Sequence, residues 1–198
     1  MSVDWGERYR LGDTPWEKGR AHPALKTLLS EHRDLFSAGM EVLVPGCGLG
    51  HDARLIAAET GARVTGLDVA PEALEQAVLL TSPGGPEWQW GDLFTWEGQY
   101  QLVFEHTCFC AIPPARRPEY VEAMARLIPP GGWLLGIFFL NPDHDKDEGP
   151  PFGVELAELE DFFRNDFEIQ WSQPPSETYE GREGEGREVC LLMQRRSG

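Results

Sequence analysis

The sequence predicts an α/β fold, a doubly wound and mostly parallel seven-stranded sheet that ends in an antiparallel hairpin. Three observations predict it. Short apolar runs alternate with amphipathic stretches from Glu41 to Phe163, the pattern of βαβ units with right-handed crossovers. The run Val42-Leu43-Val44-Pro45 feeds the glycine loop Gly46-Cys47-Gly48-Leu49-Gly50, as a buried strand feeds a sharp turn into a helix. The last two strand-like runs, Phe167–Trp171 and Glu188–Gln194, have no helix between them, so they should pair antiparallel.

Each element has its own signal. Trp5–Tyr9 reads as a short helix, followed by an irregular stretch to Pro23. Leu25, Leu28, Leu29, Leu35 and Phe36 recur at helical spacing and predict a helix over Ala24–Phe36. Glu41–Val44 is the first strand; His51–Glu59 is a helix stopped by Gly61. Arg63–Leu67 is the second strand, and Pro71–Leu80 a helix with proline in its first turn. Glu87–Trp90 and Gln101–Glu105 are strands three and four, and Trp133–Leu140 is strand five. Helices are expected at Pro118–Ile128 and Glu155–Phe163. The acidic, glycine-rich Glu177–Arg187 reads as a mobile loop between the last two strands. One domain over 1–198 is expected, with 1–36 as an N-terminal lid and helix and 41–194 as the core.

Composition narrows the class. An apolar fraction of 41% is that of an ordinary soluble globule. The longest apolar run, Trp133–Leu140, is strand length, far short of the roughly 20 residues of a membrane span. Met1-Ser2-Val3-Asp4-Trp5 lacks the basic start and apolar core of a signal peptide, so a cytoplasmic location is expected. Cys47, Cys108, Cys110 and Cys190 show no metal-ligand spacing, and no metal is expected. Cys108-Phe109-Cys110 is too tight for a comfortable disulfide. A net charge of −16 repels phosphates and anionic membranes. The expected partner is therefore a small molecule, with no nucleic acid and no membrane, and the protein is expected to be a monomer.

The strand ends carry the chemistry. A helix starting near His51 points its N-terminal amides at whatever sits on the glycine loop. Asp68 follows that loop by roughly 20 residues, where a carboxylate can grip ribose hydroxyls. Together they indicate a nucleoside cofactor. The hydride-enzyme fingerprint G-x-G-x-x-G fails, because His51 stands where its third glycine belongs. Gly46, Gly48 and Gly50 instead form G-x-G-x-G, the form used by S-adenosylmethionine (SAM) methyltransferases. After strand three, Asp92 and a neighbouring amide can read adenine while Leu93 packs on its ring. Glu105 closes strand four at the same edge. The rings of Trp5, Tyr9 and Trp16 suit a lid that excludes water and offers a sulfonium its π faces.

The methyl acceptor falls to the segment after strand four, Glu105 to Ile112. Methyl transfer is an in-line displacement that needs alignment and dryness more than a strong acid or base. A halide or thiolate needs no proton removed, whereas a neutral thiol does. Two roles are open to His106: taking that proton, as an imidazole can near neutrality, or simple packing. Cys108 and Cys110 read as apolar lining rather than nucleophiles. His144, after strand five, is either at the ligand edge or in a solvated loop. Arg8, Arg10, Arg116 and Arg117 read as surface charges, one of which could steer an anionic acceptor. His22, His32 and His51 look structural or solvent-facing.

Taken together, the chain resembles the thiopurine S-methyltransferase superfamily, and within it the halide/thiol methyltransferases. The resemblance rests on Trp5, Gly12-Asp13-Thr14-Pro15-Trp16-Glu17-Lys18-Gly19-Arg20 and His22-Pro23. It continues through Val44–Asp52, Gly66-Leu67-Asp68 and Asp92-Leu93-Phe94-Thr95-Trp96. It resumes at Phe109–Ile112, Arg117-Pro118, Asp143-His144 and Gly149–Phe152. It implies the class I SAM-dependent methyltransferase fold, Rossmann-like, with SAM as cofactor. For SAM it implies the N-terminal aromatics Trp5, Tyr9 and Trp16 with Gly46, Asp68, Asp92 and Leu93; Cys47, Gly48, Val69 and Glu105 join the candidates by their place at the strand ends. The acceptor-side candidates read from the residues themselves are Trp16, Cys108, Phe109 and His144, with His106 as the candidate catalytic group. The implied acceptor is a small soft nucleophile: thiol, bisulfide, halide or thiocyanate. Larger heterocyclic thiols, or SAM binding without catalysis, are the alternatives. Three departures border the acceptor segment: Glu105 and His106 replace an aspartate and a tyrosine, Tyr9 replaces a tryptophan, and Ile112-Pro113-Pro114 lacks an acidic residue.

Overall fold

The computed structural model describes residues 3–143, 145 and 148–197. Its strands make a seven-stranded mixed sheet, and the chain divides into two compact units, Met1–Trp96 and Glu97–Gly198.

The first unit contains α1 (Trp5–Leu11), α2 (Leu25–Glu31), β1 (Glu41–Pro45), α3 (His51–Thr60), β2 (Arg63–Asp68), α4 (Pro71–Leu79) and β3 (Glu87–Trp90). Its strands lie in the order β3-β2-β1 and all run parallel. Val42 and Leu43 of β1 are fully buried, as a strand covered on both faces requires. Register places Pro45 beside Leu67 and Asp68 beside Trp90, so three chain turns leave the same edge. The expected Ala24–Phe36 helix is shorter. It ends at Glu31, and Arg33–Leu35 continues as a 3-10 turn, because His32-Arg33-Asp34 offers the apolar stripe nothing to bury.

The exit of the glycine loop into α3 is decided by packing. A Cβ on Gly50 would stand 2.0 Å from Trp88 Cη2, and one on Gly66 2.4 Å from Trp88 Cζ3. The Trp88 indole thus occupies the space two missing side chains leave, against α3 and β2. Gly50 also sits at φ 75°, in the left-handed region at the N-cap of α3.

The second unit contains β4 (Leu102–His106), α5 (Arg117–Leu127), β5 (Trp133–Phe139), α6 (Leu156–Phe163), β6 (Phe167–Gln173) and β7 (Glu188–Arg195). Its strands lie in the order β4-β5-β7-β6. β4 and β5 are parallel, while β7 is antiparallel to both β5 and β6, as the missing helix predicts. β4 runs one residue further than the sequence suggested: His106 belongs to it and pairs with Ile137. Phe109, Tyr120, Phe138, Phe163 and Phe167 form an edge-to-face aromatic core. Among the described residues no helix is long and apolar enough to cross a membrane.

Gly50→Ala therefore adds a steric clash to an unfavourable φ. Loss of stability by about 2–4 kcal/mol is expected, read as a lowered urea midpoint at constant slope.

Candidate functional site

In the first unit the site is built on one carboxylate. Asp68, 8% exposed at the end of β2, accepts the Gly48 amide on Oδ2 at 2.7 Å and the Ala70 amide on Oδ1 at 2.9 Å. Burial raises its pKa, against the opposing pull of those amides. The loop is further closed by Cys47 N to Leu67 O at 3.1 Å and Gly50 N to Cys47 O at 2.8 Å. Asp68, expected to meet a ribose, also holds the loop, and its carboxylate retains acceptor lone pairs beyond those two bonds. Burial, with the Asp68 charge beside it, holds the Cys47 thiol well above its usual range. It is a neutral wall of the loop.

Above the loop lies α1. Asp4 caps it through the Glu7 amide at 2.9 Å, and Arg10 ties it to Glu72 on α4 at 2.9 Å. Trp5 and Trp16 meet edge-to-face at 5.3 Å, Tyr9 and Trp16 at 5.8 Å. Trp16 Nε1 donates to Tyr9 Oη at 3.1 Å, and the Arg8 guanidinium covers Trp16 at 4.4 Å. A Cβ on Gly48 would stand 2.9 Å from Tyr9 Oη, so the missing side chain is what lets the lid come down on the loop. Burial, then Asp68, raises the Tyr9 pKa; its hydroxyl stays a neutral donor. Although α1 carries Trp5 and Tyr9, none of its residues is fully buried. Rings, glycine backbone and a carboxylate together match the donor set for SAM.

At the neighbouring strand ends Val69 is 50% exposed, while Leu93 is buried. Asp92 is exposed, and its Oδ1 accepts the Phe94 amide at 3.0 Å. Trp90, which the sequence reading passed over, is 69% exposed and donates its indole N–H to Val69 O at 3.1 Å. Its signal was the alternation Trp88-Gln89-Trp90, whose second ring has no core to enter. His51 is structural, as expected: its Nε2 lies 3.0 Å from Glu17 Oε1 and its Nδ1 2.9 Å from Arg54.

In the second unit Glu105 turns inward. It is wholly buried, accepts the Phe109 amide on Oε1 at 2.9 Å and is hydrogen-bonded on Oε2 by the Tyr120 hydroxyl. Its pKa is raised by burial despite those donors. Its carboxylate thus braces the turn after β4, where Thr107 sits at φ 61° and Phe109–Ala111 forms a 3-10 turn. Phe109 is core, 1% exposed. The Cys110 thiol is pushed up to about 12 by burial and then by Glu105; Cys108 is half-buried. Arg117 is buried too, stacked on Phe109 at 4.9 Å and donating to the carbonyls of Phe152 and Gly153 at 3.1 and 2.9 Å. It is a brace for the chain after β5 and no surface charge. His144 lies outside the described residues.

The connection between β6 and β7, expected to be mobile, is instead a fastened cap. Tyr179 is 5% exposed, its ring nearly parallel to His106 at 6.0 Å and 21°. Thr178 bonds Glu188, and Arg182 Nη1 reaches Glu188 Oε1 at 3.1 Å. Arg187 grips Asp143 with both terminal nitrogens, and Leu140 N donates to Arg187 O at 2.8 Å. Three anchors spread over an acidic, glycine-rich stretch leave little trace in composition.

A buried carboxyl with a raised pKa holds its proton more tightly folded than unfolded, so its contribution to stability falls as pH rises through that pKa. Glu105→Gln removes this dependence while keeping an acceptor for Tyr120. The decline in Tm between about pH 4.5 and 7 is expected to be shallower in the variant than in the parent, as thermal melts across that range will register.

Comparison with known proteins agrees with this geometry. Residues 2–190 match the family model for thiopurine S-methyltransferase. A probable thiol methyltransferase 2 of Arabidopsis thaliana is 34% identical over 165 residues, covering 80% of this chain and 70% of the relative. Thiocyanate methyltransferase 1 of Brassica oleracea is 36% identical, covering 79% and 70%. A thiopurine S-methyltransferase of Xanthomonas campestris is 31% identical over 192 residues, covering 86% and 85%. Among solved structures, one from work on conversion of a disulfide bond into a thioacetal group during echinomycin biosynthesis superposes with TM-score 0.76 at 22% identity, covering 99% and 92%. Magnesium protoporphyrin IX methyltransferase of Synechocystis with bound SAM gives 0.67 at 18%, covering 98% and 86%; at such identities the likeness shows the fold alone. The fold is that of class I SAM-dependent methyltransferases, and the chain belongs to the thiopurine S-methyltransferase family, whose cofactor is SAM.

Proposed function

We propose that this SAM-dependent S-methyltransferase acts, as a single domain over 1–198, on a small soft nucleophile: a thiol, bisulfide, halide or thiocyanate. The observation that carries the reading is the cradle of Asp68, Gly48, Tyr9 and Trp16. The thiol and thiocyanate methyltransferases among the relatives support the acceptor class, and a charge of −16 favours a small molecule over nucleic acid.

When bound, SAM supplies a sulfonium methyl that an acceptor lone pair takes by in-line displacement, leaving S-adenosylhomocysteine. Around it Gly46, Cys47 and Gly48 give backbone approach. Asp68 and Asp92 give acceptors for ribose and adenine, and Val69 and Leu93 give apolar contact. Trp5, Tyr9 and Trp16 would exclude water and offer the sulfonium their π faces. Glu105, expected at the cofactor edge, is wholly buried and works through its hold on the turn after β4. His106 takes the proton of a neutral thiol; a halide or thiocyanate brings none. Cys108 lines the acceptor side, with no covalent role.

Release of S-adenosylhomocysteine from methanethiol, bisulfide, iodide and thiocyanate is the direct test; tight SAM binding without turnover across that panel counts against the reading. His106→Ala should slow thiol methylation by about 10²-fold and leave iodide turnover within about threefold. Asp68→Ala should weaken SAM binding by about 1.5–3 kcal/mol in a calorimetric titration, since it removes both the ribose acceptor and the loop's anchor.

A further inference from the structure

We infer that Tyr179, on the β6–β7 connection, sets the upper size of the methyl acceptor; this rests on the proposed function. Tyr179 is remote in sequence from every residue assigned to the reaction, yet its ring lies beside the imidazole of His106 and nearly parallel to it, at 6.0 Å and 21°. Its burial, 5% exposed in an otherwise polar stretch, means that the ring takes up space beside the end of β4.

The ring is held from behind. The Arg182 guanidinium lies 5.6 Å from the Tyr179 ring and 4.5 Å from that of Phe139, at the end of β5. Glu188 at the start of β7 holds Arg182 at 3.1 Å and also bonds Thr178, the residue before Tyr179. Arg182 is near enough to the acceptor segment for its charge to act on Cys110. His106, Tyr179, Arg182 and Phe139 thus lie together near the ends of β4 and β5, with Arg182 held by Glu188. A ring braced on one side by a clamped guanidinium cannot swing away cheaply to admit a bulky acceptor. A one- or two-atom nucleophile does not ask it to; an aryl thiol does.

The test compares kcat/KM for bisulfide and for thiophenol in the full chain, with SAM affinity measured alongside. Tyr179→Ala should raise the thiophenol-to-bisulfide ratio at least tenfold, through a lower KM for thiophenol. Tyr179→Phe should keep the parent ratio, and all three proteins should bind SAM equally. Should Tyr179→Ala lose its fold by circular dichroism, Tyr179→Leu makes the same comparison with a smaller cavity. An active parent with an unchanged ratio in the truncated variant overturns the role of Tyr179 alone. A parent inactive on bisulfide, thiophenol, iodide and thiocyanate overturns the functional reading and this inference with it, while one that turns over iodide but neither thiol overturns this inference alone.

Discussion

A carboxylate buried at the end of β2 organises the cofactor side of this protein. Asp68 lies between the amides of Gly48 and Ala70, so one charge fixes the glycine loop and the approach to α4 together. Removing a carboxylate from water is costly unless N–H dipoles replace its hydration. The two amides do so, and in return lose their freedom. Tyr9 can then settle over Gly48, Trp16 can bond Tyr9, and Arg8 can cover Trp16. Each step depends on the one before it, and the first is the Asp68 bond.

The second unit repeats the device. Glu105 ends a parallel strand, turns into the core and accepts an amide from the turn that follows. Tyr120 completes its shell from α5. The consequence is rigidity where the chain leaves β4, with Thr107 held at a positive φ. Strand-end acids are thus of two kinds here. Asp68 and Glu105 face inward and shape loops, while Asp92 faces solvent.

Legibility followed locality. The glycine loop, the βα alternation and the antiparallel ending are encoded by neighbouring residues, through spacing and backbone permissiveness, and each was readable. The helix expected over residues 24–36 stops at Glu31, because His32-Arg33-Asp34 interrupts the period that Leu35 and Phe36 continue. Phe109 stands in the acceptor segment and its position suggests pocket lining, whereas four neighbouring rings from α5, β5 and α6 draw it into the core. Arg117 was read as a surface charge on its residue type, yet two carbonyls and a ring receive it inside.

By itself, then, the sequence determined the fold class, the SAM cofactor and the family, because these rest on short-range patterns that backbone geometry enforces. Tertiary structure decided which way the acids at the strand ends point and whether the β6–β7 connection is loose or fastened. Those outcomes hang on partners far apart in the chain, Glu105 with Tyr120 and Tyr179 with His106. No local spacing announces such pairs; they arise only when burial makes an unpartnered charge or ring expensive.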